Sequence, residues 1–290
     1  LSVRSGAAVS MPGMLDSVLN VGLTPEIFEA WRAREPLLAL DCQARLLAQV
    51  GEIIHRFPVD PDTGQTPFDE ARRAVAVSPA DPVAAHEALV QRFRDLLSGH
   101  RWPDDPWAQL EHALIATLRS WNNERARSYR RQHGIDGAMG TAVTVQAMVF
   151  GNRDERSATG VALTRDPSTG ARRFWGEYLV EAQGEDVVSG ARTPVAMDSA
   201  AQPFSARFPE AHAQLEDMRD QLERHFRDLL ELEFTVESGH LWLLQVKRAQ
   251  RSPAAGFRVA VDMVDEGLLP ETEALLRVST DDVEDLLEPR

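Results

Sequence analysis

Two runs of alternating residues, "LLELEFTV" and "HLWLLQVKR", are separated only by Glu237-Ser238-Gly239, and any fold of this 290-residue chain has to accommodate them as a hairpin. Within them Glu231 and Glu233 lie two apart, as do Gln245 and Lys247. Side chains two apart on a strand share a face, so pairing across the turn brings both pairs to one face. Two carboxylates, an amide oxygen and an ammonium then converge. Carboxylate and amide oxygens are hard ligands suited to Mg²⁺, which takes few protein groups and completes its shell with phosphate and water. A neighbouring cation neutralises charge on a transferred phosphoryl group. The same residues also fit an exposed hairpin whose charges pair across the strands.

Local signals organise the rest of the chain. After a short strand-like piece and a loop of small residues, Thr24-Pro25, Asp81-Pro82 and Asp105-Pro106 each offer an N-cap followed by Pro at the first helical position. The stretch 81–98 places Leu89, Val90, Phe93, Leu96 and Leu97 on one side of a helix closed by Gly99. Residues 25 to about 131 therefore read as mainly helical, with a Pro-, Asp- and Gly-rich loop over 57–68. At Gly140 the texture changes. Residues 141–150, 159–165 and 172–184 read as strands, the last two joined by the turn "DPSTG", and helix returns over 208–230. Helices first and antiparallel strands later predict an α+β fold.

Composition excludes several classes of function. The formal charge of −14 argues against a nucleic-acid binder. Residues 262–290 hold ten Asp or Glu against two Arg, which reads as a solvated acidic helical face. The single Cys42 precludes an internal disulfide and a cysteine-rich metal site. No apolar run reaches the length of a membrane span and no signal peptide is evident, so the expectation is a cytoplasmic protein without membrane partners. The eight His residues show no pair at metal-ligand spacing.

The N-terminal "RSGAAVSMPGM" surrounds Arg4 with small residues, and Gly6 and Gly13 permit close approach of the backbone to a ligand. Backbone N–H groups in such a loop cradle phosphates, and Arg4 pairs with phosphate oxygens; a tight loop with a surface arginine is the plainer alternative. Neither a Walker A pattern nor G-x-G-x-x-G occurs. "RSWNNERARSYRRQ" (119–132) reads as a solvated helix face held by Trp121 and Tyr129, with Arg125 and Arg127 among acidic neighbours.

Taken in order, "SVRSGAAVSMPGMLDSVLNVGL", "SWNNERARSYRR", "VQAMVFGN", "SATGVALTRDPSTG", "GEYLVEAQGEDVVSGARTP" and "LEFTVESGHLWLLQVKR" resemble consecutive signatures of the pyruvate, phosphate dikinase family. "VAVDMVDEGLLPETEALL" is similar to the segment leading out of that family's nucleotide-binding domain. The resemblance covers nearly the whole chain. It implies an ATP-grasp nucleotide site between two lobes, with ATP and Mg²⁺ as cofactors. The expected layout is the start of a first lobe at 1–24, a helical insert at 25–105 and the rest of that lobe at 106–150. A second lobe with the metal-binding hairpin follows at 151–250, then an acidic helical linker at 251–290.

Carried over residue by residue, the resemblance makes Arg4 a phosphate-binding and catalytic residue and puts Gly13 in the phosphate loop. Glu233 and Gln245 become the metal pair, Glu231 and Lys247 nucleotide contacts with Lys247 catalytic, and Thr164 and Glu185 lining residues. Three positions depart from the family: Glu231 replaces an aspartate, Lys247 an arginine and Ala8 an arginine. Arginine offers a planar fork where lysine offers a point charge. An upstream strand bearing a phosphate-binding lysine, the phosphohistidine motif and the pyruvate-binding barrel are expected on a missing segment or another chain. Two readings follow. One is an ATP- and Mg²⁺-dependent phosphotransferase domain serving a separate phosphohistidine domain. The other is a degenerate, non-catalytic nucleotide-binding or assembly module that associates with a partner or with itself as a homo-oligomer.

Overall fold

The computed structural model describes residues 1–75, 81–188 and 192–287. The last three positions of the acidic segment and 189–191 of the family-like stretch lie outside the described residues. The chain divides into two units, Leu1–Met148 and Val149–Arg290. Helices and antiparallel sheets coexist in it, so the α+β expectation holds. Among the described residues no helix is long and apolar enough to cross a membrane.

In the first unit β1 (Ser2–Gly6) pairs antiparallel with β2 (Ala142–Gln146), placing Arg4 opposite Thr144. The strand expected over 141–150 is shorter because its ladder to β1 ends at Ser2↔Gln146. Between the strands lie α1 (Pro25–Arg32), α2 (Pro36–Gln49), α3 (Pro67–Ala74), α4 (Pro82–Leu96), α5 (Pro106–Ser120) and α6 (Glu124–Gln132). Thr24, Asp81 and Asp105 cap their helices as expected, accepting from the N–H groups of Ile27, Ala84 and Ala108. Thr66 does the same for α3 and shares a capping box with Asp69. The loop therefore ends at Thr66 rather than 68, because Pro67 at the first helical position forgoes no intrahelical bond. Helix α2 is buried on nearly all sides, through Leu38, Leu40, Ala44, Leu46 and Leu47, and Val90 and Phe93 of α4 pack into the same interior. Two buried glutamines hold the chain that follows β1: Gln49 accepts from Leu19 N–H at 2.7 Å and Gln109 from Gly22 N–H at 2.9 Å.

The second unit is built on β3 (Ala158–Leu163), β4 (Trp175–Val180), β5 (Val195–Ala196), β6 (Leu230–Glu237) and β7 (His240–Arg248), in the order β5-β4-β3-β6-β7. All neighbours are antiparallel. The strand expected over 172–184 is trimmed at both ends. Residues 166–171 form a turn closed by Asp166 and Ala171, and Glu181 takes a positive φ of 50°. The helix expected over 208–230 is α8 (Phe204–Arg207) followed by α9 (Pro209–Phe226), and it stops where Arg227 turns left-handed. One face of the sheet buries Leu230, Leu232, Phe234, Val236 and Tyr178 against Phe204, Phe208, Ala211 and Leu215. The other face is covered at one end by α7 (Gly184–Val188) and at the other by α10 (Pro253–Asp265), through Leu163, Val259 and Met263. Helices α11 (Glu271–Leu275) and α12 (Thr280–Leu287) complete the acidic end.

Polar contacts fix how these layers meet. Arg165, directly after β3, is fully buried and forms a fork with Glu223 of α9 at 3.0 and 2.9 Å; it also donates to Glu266, just past α10, at 2.7 Å. At the opposite end of the sheet the hairpin turns through Ser238 and Gly239, with φ of 48° and 88°. Both are left-handed values, and Glu237 pairs with His240, so the connection is a two-residue turn of the primed type rather than a three-residue one. Asp154 holds this turn. It accepts from Ser238 Oγ and Ser157 Oγ at 2.6 Å each and from Arg156 N–H at 3.0 Å.

Burial alone would raise the Asp154 carboxyl, but hydrogen bonds from Ser157, Ser238 and the Arg156 amide outweigh it and hold the group below its ordinary value of 3.8. A depressed folded value means stability present above 3.8 and lost as pH falls through that lower value. Asp154→Ala is expected to destabilise the chain by about 1–3 kcal/mol near neutrality, since hydrogen bonds to a charged group are lost. Urea melts at pH 7 and pH 3 check this: the gap between wild type and variant should narrow at the lower pH.

Candidate functional site

Hairpin residues Leu241, Leu243 and Val246 all pack on the same interior cluster, which strict alternation forbids. A β-bulge reconciles them. Glu233 faces Gln245, whereas the next residue, Phe234, faces Leu243, so Leu244 is the extra residue. Beyond the bulge the alternation is reset, Val246 turns inward, and Gln245 and Lys247 turn to the face that carries Glu231 and Glu233. The signal in the sequence is the doublet Leu243-Leu244, which interrupts an otherwise alternating strand.

On that face the expected constellation assembles. Lys247 Nζ lies 2.8 Å from Glu231 and 3.9 Å from Glu233, each side chain about a quarter exposed. Gln245 stands directly opposite Glu233. Val161 is the cross-strand neighbour of Glu233 on β3 and packs against both covering clusters, so α7 and α10 lie on this same face. Oxygen donors and one ammonium therefore converge on a half-open sheet surface. Among the described residues no group of three or more His, Cys, Asp or Glu is arranged to hold a metal by itself. A donor set of one carboxylate and one amide, with Glu231 occupied by Lys247, fits an ion that draws the rest of its shell from phosphate and water.

The other expected residues fall in different places. Glu185 lies in the first turn of α7, half-buried, over the same face of the sheet as Glu233. Thr164 is fully buried. Its N–H donates to Leu230 O at 2.9 Å, and its hydroxyl accepts from Leu230 N–H at 3.1 Å, extending the β3–β6 ladder. That hydroxyl is used inside the sheet. In the first unit Arg4 is half-buried on β1, and Gly13 sits exposed in a turn closed by Met14 N–H to Met11 O at 3.1 Å. Pro12 followed by Gly13 at φ 69° is the composition of a type II turn.

The Arg-rich stretch is less solvated than its composition suggests. Arg130 is buried, its guanidinium 4.1 Å from the centre of the Trp121 ring and donating to Trp121 O. Arg125 pairs with Asp16, far away in sequence, rather than with acidic neighbours in its own helix.

Comparison with known proteins gives consistent matches. The family model described as the AMP/ATP-binding domain of pyruvate phosphate dikinase matches residues 1–204. The chain is 40% identical to the pyruvate, phosphate dikinase of Rhizobium meliloti (strain 1021), covering all of this chain and 34% of that protein. It is 39% identical to the enzyme of Clostridium symbiosum, over all of this chain and 33% of that protein. The chloroplastic enzyme of Flaveria trinervia is also 39% identical, over all of this chain and 30% of that protein. The chain thus spans about a third of the length of the curated relatives it matches. The hairpin lies beyond the stretch matched by the family model but within these full-chain matches.

Deleting Leu244 tests the role of the bulge. Removal of the unpaired residue leaves a regular ladder in which Leu241, Leu243 and Val246 still face inward and Gln245 and Lys247 still lie beside Glu231 and Glu233, so the denaturation midpoint should change little. A loss of about 3 kcal/mol or more, the scale of an uncompensated buried charge, would contradict the assignment of Leu244 as the extra residue.

Proposed function

Since the chain belongs to the pyruvate phosphate dikinase AMP/ATP-binding domain family, we propose that it binds ATP with Mg²⁺ as the nucleotide-binding, phosphotransferase domain of a pyruvate, phosphate dikinase-like protein of ATP-grasp type. The observation that carries this is the hairpin face on which Glu231, Glu233, Gln245 and Lys247 meet. Glu233 and Gln245 would hold Mg²⁺, whose contribution when bound is to offset negative charge on phosphoryl oxygens. Lys247, steadied by Glu231, places its ammonium against phosphate, and Arg4 is a second phosphate-binding cation. Exposed Gly13 lets backbone N–H groups come close to phosphate, and Glu185 lines the nucleotide site. Thr164 contributes from behind by holding the Leu230 amide at the start of β6. A lysine at position 247 keeps the charge but gives up the paired donors of an arginine, so positioning of the phosphate falls more heavily on Arg4 and on the metal. In a whole protein the phosphoryl group would pass to a histidine on a separate domain, on the way to phosphoenolpyruvate.

Calorimetric titration of ATP with and without Mg²⁺ tests the reading. Saturable, Mg²⁺-dependent binding is expected, and Glu233→Gln should weaken it at least about tenfold, or roughly 1.4 kcal/mol, without unfolding the chain. Unchanged affinity in a folded variant would remove the metal assignment.

A second reading, an assembly module, has one observation in its favour. Helix α5 buries Gln109, Ala113, Thr117 and Ser120 while turning Trp107, Ile115 and Leu118 to solvent, the reverse of ordinary amphipathic packing. It predicts self-association, lowered by Trp107→Ser. Sedimentation showing a strictly monomeric chain that binds ATP tightly would count against it.

A further inference from the structure

We infer that Asn123 and Arg125 are positioning residues that hold the loop at 10–14 in the shape that receives the phosphates of the nucleotide, an inference that rests on the proposed function. Both converge on one atom. Asn123 Nδ2 donates to the Met14 carbonyl at 3.1 Å, and Arg125 Nε donates to the same oxygen at 3.2 Å. The far end of the Arg125 guanidinium pairs with the Asp16 carboxylate two residues further on. Met14 N–H is meanwhile bound to Met11 O, so the turn carrying Pro12 and Gly13 is fixed at both of its closing residues.

The anchor itself is rigid. Asn123 is the N-cap of α6, and its Oδ1 accepts from Ala126 N–H at 2.8 Å while its Nδ2 reaches the loop. Met11 is buried against Trp121 and Ala126, and the Trp121 indole N–H is held by Gly137 O at 3.0 Å. Pro12 and Gly13 remain exposed at the apex. A loop ordered in this way in the free chain bears its conformational entropy cost on folding, not on binding, and that strengthens affinity for whatever meets its backbone. Arginine is required at 125, because one group must serve a carbonyl and a carboxylate at once and a lysine offers no such fork.

Asn123→Asp separates the two tasks of that residue, since a carboxylate keeps the cap acceptor and loses the donor to Met14. The experiment titrates the 290-residue chain and the variants Asn123→Asp and Arg125→Lys with Mg·ATP and with adenosine. It also follows amide exchange across 10–14. The expected result is ATP affinity weakened about three- to tenfold in each variant, adenosine affinity unchanged, thermal melts intact and faster exchange in the loop. Variants that bind ATP as wild type does, that lose ATP and adenosine equally, or that keep full exchange protection would each overturn the inference while leaving the nucleotide reading in place. A wild-type chain that binds neither ligand would overturn both.

Discussion

One extra residue in β7 sets what the second unit can do. The hairpin has to bury Leu241 and Leu243 before Leu244 and Val246 after it, and still present Gln245 and Lys247 beside Glu231 and Glu233. A regular strand meets only one of these demands, because a slip of one residue exchanges its two faces. The bulge meets both, at the edge of the sheet where a break in the ladder costs least. Burial and the candidate site chemistry thus depend on the same backbone irregularity.

The surroundings of that hairpin are held by ionic groups rather than by apolar packing alone. Arg165 ties the end of β3 to α9 and to the segment after α10, and buried Asp228, at the entry to β6, meets Arg251 and Arg277. Buried pairs of this kind gain little net stability over well-packed apolar side chains, yet removing one partner leaves a stranded charge. Their effect here is to fix angles and registers: α9 is placed on one face of the sheet and α10 on the other, and the face between α7 and α10 stays open at Glu233.

Much of this was legible in the residues. Caps followed by proline are local chemistry, so the starts of α1, α4 and α5 could be read directly, and the hairpin with its two pairs of polar residues followed from alternation. Thr66-Pro67 carries the same signal but is masked by the Pro- and Gly-rich run before it, so the composition of 57–68 reads as loop although α3 already begins at Pro67. What stayed hidden depends on partners distant in sequence. Thr164 is buried because Leu230 completes its ladder, 66 positions away. Arg125 reads as a surface charge until Met14 and Asp16, more than a hundred residues earlier, come to lie beside it. The bulge belongs between these cases: the Leu243-Leu244 doublet marks it, yet only the register says which residue is extra.

The proposed function puts the metal that accompanies ATP on the bulged hairpin face. Paramagnetic broadening by Mn²⁺ in the presence of ATP, read on backbone amide resonances, tests it most directly. Broadening centred on Glu233 and Gln245, absent in Glu233→Gln, is the predicted result. Broadening centred on the acidic helices α11 and α12, with the hairpin amides untouched, would contradict it.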